Sequence, residues 1–597
     1  MAKKYIDVMD TSFRDGFQSV FGGRVLMEDF FPAVEAAKNA GINHFEFGGG
    51  ARFQSLYFYL QEDAFEMMDK FREIVGPEAN LQTLSRGINT VMLDTGSREM
   101  IDLHAKLFKK HGTTTIRNFD ALNDVDNLAY SASCIKKHGL NHEAVITMMD
   151  LPPGCKGAHD VTFYEKTLRN MLDTGMEFDS LCFKDASGTA NPKKVYETIA
   201  MARKLLGEEV HLRLHTHETA GVSVASYLAA LEAGANGIDM AASPVSGGTS
   251  QPDILTMLHA TKGTNYNLGD LKLDKVLKYE ERLKECLAEY MIPPEATQVS
   301  PLIPFSPMPG GALTANTQMM RDAGNLDKFD EVIAEMKEVV EKGGYGTSVT
   351  PVSQFYWQQA YANVMFGKWK QIAPGYGRMV LGYFGKTPVE PDAEIVALAS
   401  EKLKLEVTKE NPLDLADTVE EKSIAHWTKV LEDEGLETSE ENIFIAAACD
   451  QKGIAFLKGE SPLMIRKGKN NTNCGEEEMS GNYTVVVDGK QYSVQVAEGE
   501  GDIQITPSAV PAAAATEAAP VVTGGKGSIE INSQTPGNVW KILKAPGDSV
   551  NEGEQIMILE AMKMEIDIVA EKAGVIKSID VNTNDAVIDG QLLATME

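Results

Sequence analysis

An α/β fold, a (β/α)8 TIM barrel followed by a mostly α-helical region and then a small all-β domain, is what the sequence predicts, on three observations. The first 245 residues repeat one unit, an amphipathic helical stretch followed by a short apolar run that ends in polar or charged residues. From about residue 255 to 465 that strand pattern fades into helical text such as "LDKVLKYEERLKECLAEYM". Behind an Ala/Pro-rich stretch, residues 527–597 are short strands punctuated by Pro536-Gly537, Pro546-Gly547-Asp548 and Asp589-Gly590.

The apolar runs are, in order, 6–10 (IDVMD), 44–48 (HFEFG), 80–84 (NLQTL), 114–120 (TTIRNFD), 143–150 (EAVITMMD), 179–185 (DSLCFKD), 211–217 (HLRLHTH) and 237–241 (GIDMA). Gly41, Gly112, Gly175 and Gly234 precede four of them, as expected where a helix ends in a left-handed residue before the next strand. Eight such strands alternating with helices predict a closed barrel whose strands are buried on both faces. An open doubly wound sheet gives the same local pattern. The expected division is a barrel over 1–290, its helical partner over 291–470, a β-hairpin assembly segment over 471–505, a linker over 506–526 and the small β-domain over 527–597. The hairpin is read from "YTVVVDGKQYSVQV" (483–496), with period-two strands around Asp488-Gly489. The linker "TPSAVPAAAATEAAPVVTGG" has little with which to build a core and reads as semi-extended chain, long enough to span on the order of 60 Å.

Composition narrows the function. Lys plus Arg number 56 against 86 Asp plus Glu, a formal net charge of −30, which argues against nucleic-acid binding because that requires a basic footprint. Six cysteines, at 134, 155, 182, 286, 449 and 474, lack C-x-x-C spacing and suggest neither disulfides nor a zinc knuckle. With no apolar segment behind the N-terminal lysines and no long apolar run, a cytoplasmic location is expected.

Barrel enzymes take their reactive groups from the C-terminal ends of several strands. Here "DTSFRDGFQS" after strand one carries Asp10, Arg14, Asp15 and Gln18; strand three ends at Arg86, strand six at Lys184, and strand seven at His215 and His217. Residues two apart on a strand share a face, so His215 and His217 converge. Two imidazoles and a carboxylate suit a divalent transition metal. Each piece alone has a plainer reading: H-x-H as a turn, Arg14-Asp15 and Lys184-Asp185 as ordinary ion pairs. Their joint placement at the mouth of one barrel favours function. Lys184 poses a difficulty, since an ammonium repels a divalent cation; it is neutral, distant or covalently altered.

"DTSFRDGFQS", "FKDASG", "RLHTHETAG", "SGGTSQPD", "MPGGALTAN" and "TSVTPVSQ", in that order, resemble the biotin-dependent carboxyltransferases typified by the B-type subunit of pyruvate carboxylase and the oxaloacetate decarboxylase α chain. The resemblance covers the barrel and helical region almost throughout. It implies that Lys184 is carbamylated, so that Asp15, Lys184, His215 and His217 hold Zn2+, with Mn2+ or Co2+ as alternatives. It further implies that Arg86 pairs with the substrate carboxylate, that Gln18 and Arg14 serve the same site, and that Thr350 moves a proton between pyruvate and the biotin ring. "EAMKM" resembles biotinyl domains, which makes Lys563 the expected biotinylation site. A biotin on a tethered domain is a group carrier at high effective concentration.

The implied reaction is carboxyl transfer between carboxybiotin and pyruvate, giving oxaloacetate. The implied partners are a separate ATP-dependent biotin carboxylase subunit, a biotin protein ligase and further copies of the chain. The alternatives are the α subunit of a sodium-pumping oxaloacetate decarboxylase, with membrane subunits as partners, and the large subunit of a 2-oxoglutarate carboxylase. Two departures bear on the keto acid. Gln54 in "FGGGARFQ" stands where the family has aspartate, and Leu93 where it has tyrosine, both expected near the substrate or biotin pocket. The barrel motifs are also similar to isopropylmalate synthase and hydroxymethylglutaryl lyase, against which Lys184 and the EAMKM domain argue. A carrier without catalysis would leave the barrel residues idle.

Overall fold

The structure, a computed structural model, describes residues 3–468, 481–487, 490–496, 527–533, 537–561, 564–583, 585–587 and 590–597 of the chain. Eight parallel strands close into a barrel: β1 (Asp7–Asp10), β2 (His44–Gly49), β3 (Asn80–Ser85), β4 (Thr115–Asn118), β5 (Asn141–Thr147), β6 (Ser180–Asp185), β7 (His211–Thr216) and β8 (Gly237–Met240). Pairing of Val8 with Ile238 joins β1 to β8, which excludes the open sheet. Each strand overlaps one of the eight apolar runs. Gly41, Gly112, Gly175 and Gly234 all take positive φ, as their helix-ending positions require.

Period-two alternation splits the barrel into two environments. Ile116, Leu212, Leu214 and Ile238 belong to a core shared with Phe13, Phe30, Phe71 and Phe108 of the surrounding segments. Their neighbours Arg117, Arg213 and Asp239 are fully buried charges, as Glu143 nearly is. The apolar character of these runs therefore describes their outward faces, while the inward positions 117, 143, 213 and 239 carry ions.

A second core lies over the C-terminal ends of the middle strands. Leu84, Phe119, Val145, Met149 and Cys182 there meet Met336 and Trp357 of the helical region. The glycine- and proline-bearing stretches 304–309 and 343–351 of that region lead into helices, Gly310–Asp322 and Val352–Phe366. Pro309 and Pro351 sit at their caps, where proline's fixed φ suits a helix start and no N–H is required. Gly310 meets the barrel closely: a Cβ there would lie 1.6 Å from the Thr249 carbonyl oxygen.

Strands Gly481–Val487 and Lys490–Val496 form the expected antiparallel hairpin, Val487 opposite Lys490, although Asp488-Gly489 and the linker 506–526 lie outside the described residues. The C-terminal domain is two four-stranded sheets around its own core of Ile531, Val539, Leu559, Ile568, Ile576 and Leu593. Lys563 falls between the paired residues Ala561 and Met564 and also lies outside the described residues. Cys134, Cys155, Cys182, Cys286 and Cys449 are free thiols. Among the described residues no helix is long and apolar enough to cross a membrane.

Gly310→Ala is expected to destabilise the chain by about 1–3 kcal/mol, the range for overpacking, because the obstructing atom is backbone and cannot swing aside. Thermal or urea unfolding of the purified chain measures this; an unchanged midpoint contradicts it.

Candidate functional site

The loop after β1 decides which of its carboxylates faces the barrel mouth. Asp10 Oδ1 accepts from the Ser12 backbone N–H at 2.9 Å and from the Ser12 hydroxyl at 2.5 Å, and Oδ2 accepts from the Tyr279 hydroxyl at 2.6 Å. Asp10 is thus committed to holding the loop. Ser12–Gly16 then form one wide π-helical turn, a form that recurs at functional sites. Arg14 and Asp15 are buried within that turn.

Asp15 Oδ2 lies 3.3 Å from the Nε2 atoms of both His215 and His217, and those two nitrogens are 3.1 Å apart. Lys184 Nζ is 2.9 Å from His215 Nε2 and 4.0 Å from Asp15 Oδ2. Asp15, His215 and His217 form a compact group of buried residues able to hold a metal ion. The imidazoles are oriented from behind. His217 Nδ1 donates to the Thr249 carbonyl at 2.7 Å, and His215 Nδ1 donates to Asp239 Oδ2 at 2.8 Å, so each Nε2 presents a lone pair to the cluster.

Charge arrangement supports the same reading. Burial pushes the Asp15 carboxyl up, but Arg14, His217 and the imidazole bonds outweigh it and hold it well below the usual range. Arg14 Nη2 is 3.1 Å from Asp15 and 2.6 Å from Glu46. Burial lowers the Lys184 ammonium, against the pull of Asp15 and with the help of Arg14. Burial and then Lys184 lower His215. An ionised carboxylate and two imidazole lone pairs fit a divalent transition metal, and an amine eased towards neutrality is the form that adds CO2.

Behind His215 runs an ion network that motif reading missed. Arg117 Nη1 lies 2.5 Å from Asp239 Oδ2, and Arg213 Nη1 lies 2.9 Å from Asp239 Oδ1. Glu143 bridges the two arginines at 2.5 and 3.4 Å, and Arg213 also pairs with Asp7. Burial raises the Asp239 carboxyl, but Arg117, Arg213 and His215 together hold it well below its ordinary value. The legible signal was a charged residue at an inward position of an apolar run, in "TIRNFD", "HLRLHTH" and "GIDMA".

Other expected residues are placed less closely. Arg86 is buried and donates to the carbonyls of Val91 and Met92, with no carboxylate partner among the described residues. Burial and Arg14 pull it down to about 9. Gln18 lies with Oε1 3.4 Å from Arg14 Nη1, and its amide borders Gly311. Thr350 ends a segment that meets the C-terminal ends of β4 and β5, where Thr347 bonds the Ala121 carbonyl and the Thr147 hydroxyl. No hydrogen bond among the described residues joins Thr350 to the cluster. Gln54 donates to the Ala448 carbonyl of helix Glu440–Leu457, so its amide serves helix packing, and Leu93 is 40% exposed.

Family models match three stretches: "Conserved carboxylase domain" over 303–499, "Biotin-requiring enzyme" over 529–596 and "HMGL-like" over 131–269. A structural neighbour is the carboxyl transferase domain of Rhizobium etli pyruvate carboxylase, with TM-score 0.69, 23% identity, and 77% of this chain and 78% of that one covered. Barrel, helical region and biotinyl domain on one polypeptide define a biotin-dependent carboxyltransferase. The B-type subunit of pyruvate carboxylase from Methanocaldococcus jannaschii is 31% identical over 94% of each chain. The methylmalonyl-CoA carboxyltransferase 5S subunit of Propionibacterium freudenreichii is 31% identical over 69% of this chain and 79% of its own. The chain belongs to the family of B-type pyruvate carboxylase subunits.

Asp239→Asn keeps the shape but removes the charge behind His215 and is expected to weaken divalent-metal binding by about 10–100-fold, measured by chelator competition. The network also predicts an acid response. Asp7, Glu143 and Asp239 titrate below their ordinary values, so their contribution is complete above about pH 4, the unfolded range, and declines as pH falls further until the native carboxyls protonate. Thermal midpoints that stay level from about pH 4 to about pH 2 would contradict this.

Proposed function

We propose that the chain transfers a carboxyl group between biotin on Lys563 and pyruvate, forming oxaloacetate, as the carboxyltransferase and carrier subunit of a two-subunit pyruvate carboxylase. The observation that carries the reading is end-to-end kinship with the B-type subunit of pyruvate carboxylase, joined to a buried Asp15, His215 and His217 cluster beside Lys184. Asp15, His215, His217 and a carbamylated Lys184 hold the metal, with Zn2+ preferred over Mn2+ or Co2+. When bound, the ion polarises the keto oxygen and the biotin carries the carboxyl group.

The chain's own residues do the rest. Arg86, a buried cation without an anionic partner in the described chain, receives the substrate carboxylate. Arg14 keeps Asp15 ionised, and Gln18 beside it helps fix the substrate. Thr350 moves the proton between the pyruvate methyl carbon and the biotin ring. The division at 290, 470, 505 and 526 separates barrel, helical cover, hairpin, linker and carrier.

A separate ATP-dependent biotin carboxylase supplies the loaded carrier, a biotin protein ligase modifies Lys563, and the chain works in the cytoplasm as a homo-oligomer. A second reading, the large subunit of a 2-oxoglutarate carboxylase, is favoured by one relative from Hydrogenobacter thermophilus, 28% identical over 95% of this chain, and by the departure at Leu93. Assay of the purified pair with each keto acid decides between them. Co-purification with membrane subunits and sodium-dependent decarboxylation would instead support the oxaloacetate decarboxylase assignment.

Thr350→Ala is expected to slow exchange of labelled pyruvate with oxaloacetate by about 10²–10⁴-fold, with biotin on Lys563 unchanged in a biotin-binding probe blot. Exchange at the wild-type rate would remove Thr350 from the mechanism.

A further inference from the structure

Gln251, in "SGGTSQPD", is fully buried against the Asp15, His215 and His217 cluster. Its side-chain nitrogen lies 3.0 Å from Asp15 Oδ2 and 3.0 Å from His217 Nε2, while its oxygen lies 2.7 Å from the Thr11 hydroxyl and 3.2 Å from the Ser250 hydroxyl. In this orientation the amide N–H groups donate to a carboxylate and to an imidazole lone pair. It leaves a conflict at Thr11, whose single O–H lies within bonding distance of both Gln251 Oε1 and the Met240 carbonyl, at 2.7 and 2.9 Å. A hydroxyl has one proton to donate.

Turning the amide by about 180° resolves the conflict, since the two ends of an amide are alike in shape and differ only in hydrogen bonding. Thr11 then donates to Met240 and accepts from the Gln251 amide, and the Ser250 hydroxyl also faces the N–H groups. The oxygen would now face Asp15 Oδ2 and the His217 lone pair, an arrangement that is repulsive unless a cation lies between them. Donor atoms about 2.1 Å from a common ion are roughly 3.0–3.4 Å apart in octahedral or tetrahedral arrangement. The separations here are 3.3, 3.3, 3.1, 3.0 and 3.0 Å, with Gln251 contributing the last two.

We propose that Gln251 is a further metal-site residue, whose amide turns on metal binding to present Oε1 to the ion, with Thr11 as the hydrogen-bond partner of both orientations. The proposal rests on the reading of this cluster as a metal centre. It gives Gln251 two jobs: in the metal-free chain it bridges Asp15 and His217, and in the loaded chain it adds an oxygen donor to the set.

The test uses the full-length chain stripped with chelator and titrated with Co2+, reading affinity, visible absorption and thermal midpoint. Gln251→Ala is expected to bind Co2+ about 10-fold or more weakly, with an altered visible band. Gln251→Glu offers a carboxylate oxygen in every orientation: its metal-free midpoint should fall, through repulsion from Asp15, and its Co2+-induced rise in midpoint should exceed that of the wild type. Wild-type affinity and spectrum in Gln251→Ala would overturn the proposal. If that variant does not fold, a Co2+-induced rise in Gln251→Glu no larger than the wild type's would overturn it. His215→Ala separates the two readings: retained Co2+ there sinks the metal centre itself, whereas lost Co2+ beside wild-type behaviour in both Gln251 variants sinks only the role of Gln251.

Discussion

Arg117 and Arg213 stand fully buried inside a closed barrel, where a guanidinium without a counter-charge is untenable. Asp239, Glu143 and Asp7 together balance them, and Asp239, paired with both, is fixed in place by two ion pairs. Its Oδ2, which faces Arg117, also receives the His215 Nδ1–H, so the rigidity of the interior passes directly to one imidazole of the cluster. Arg14 repeats the scheme on the other side, anchored by Glu46 and holding Asp15 ionised. Such pairs do little for net stability against an apolar filling, but they set direction, and a metal centre needs direction.

The two ends of the chemistry are held differently. The barrel cluster is built from strands and a π-helical turn, all deeply buried. The carrier has a core of its own in residues such as Val539, Leu559 and Leu593, with Phe366 of helix Val352–Phe366 packed against it.

Much of this was legible in the sequence because it is local. The eight apolar runs marked the eight strands, and H-x-H placed His215 and His217 on one inward face, since both depend only on period-two geometry. What escaped notice depends on register between distant strands. Asp239 meets Arg117 across 122 residues and Gln251 meets Asp15 across 236, and spacing along the chain carries no trace of either. The choice between Asp10 and Asp15 likewise needed the turn, because only its path shows that Ser12 and Tyr279 occupy Asp10. Gln54 is expected near the pocket from the family resemblance, but near the end of helix Gly50–Ser55 its amide donates to the Ala448 carbonyl instead.

The contact between Gly310 and Thr249 has an evolutionary consequence. The Thr249 carbonyl that limits Gly310 is the one that receives the His217 Nδ1–H, so one peptide group links the helical cover to the cluster. Because that group is main chain, no side-chain replacement at position 249 can make room for a larger residue at 310. The pair is therefore barred from compensatory change: position 310 should resist drift without covarying with its neighbour, and would leave no coupled signal in a collection of diverging sequences.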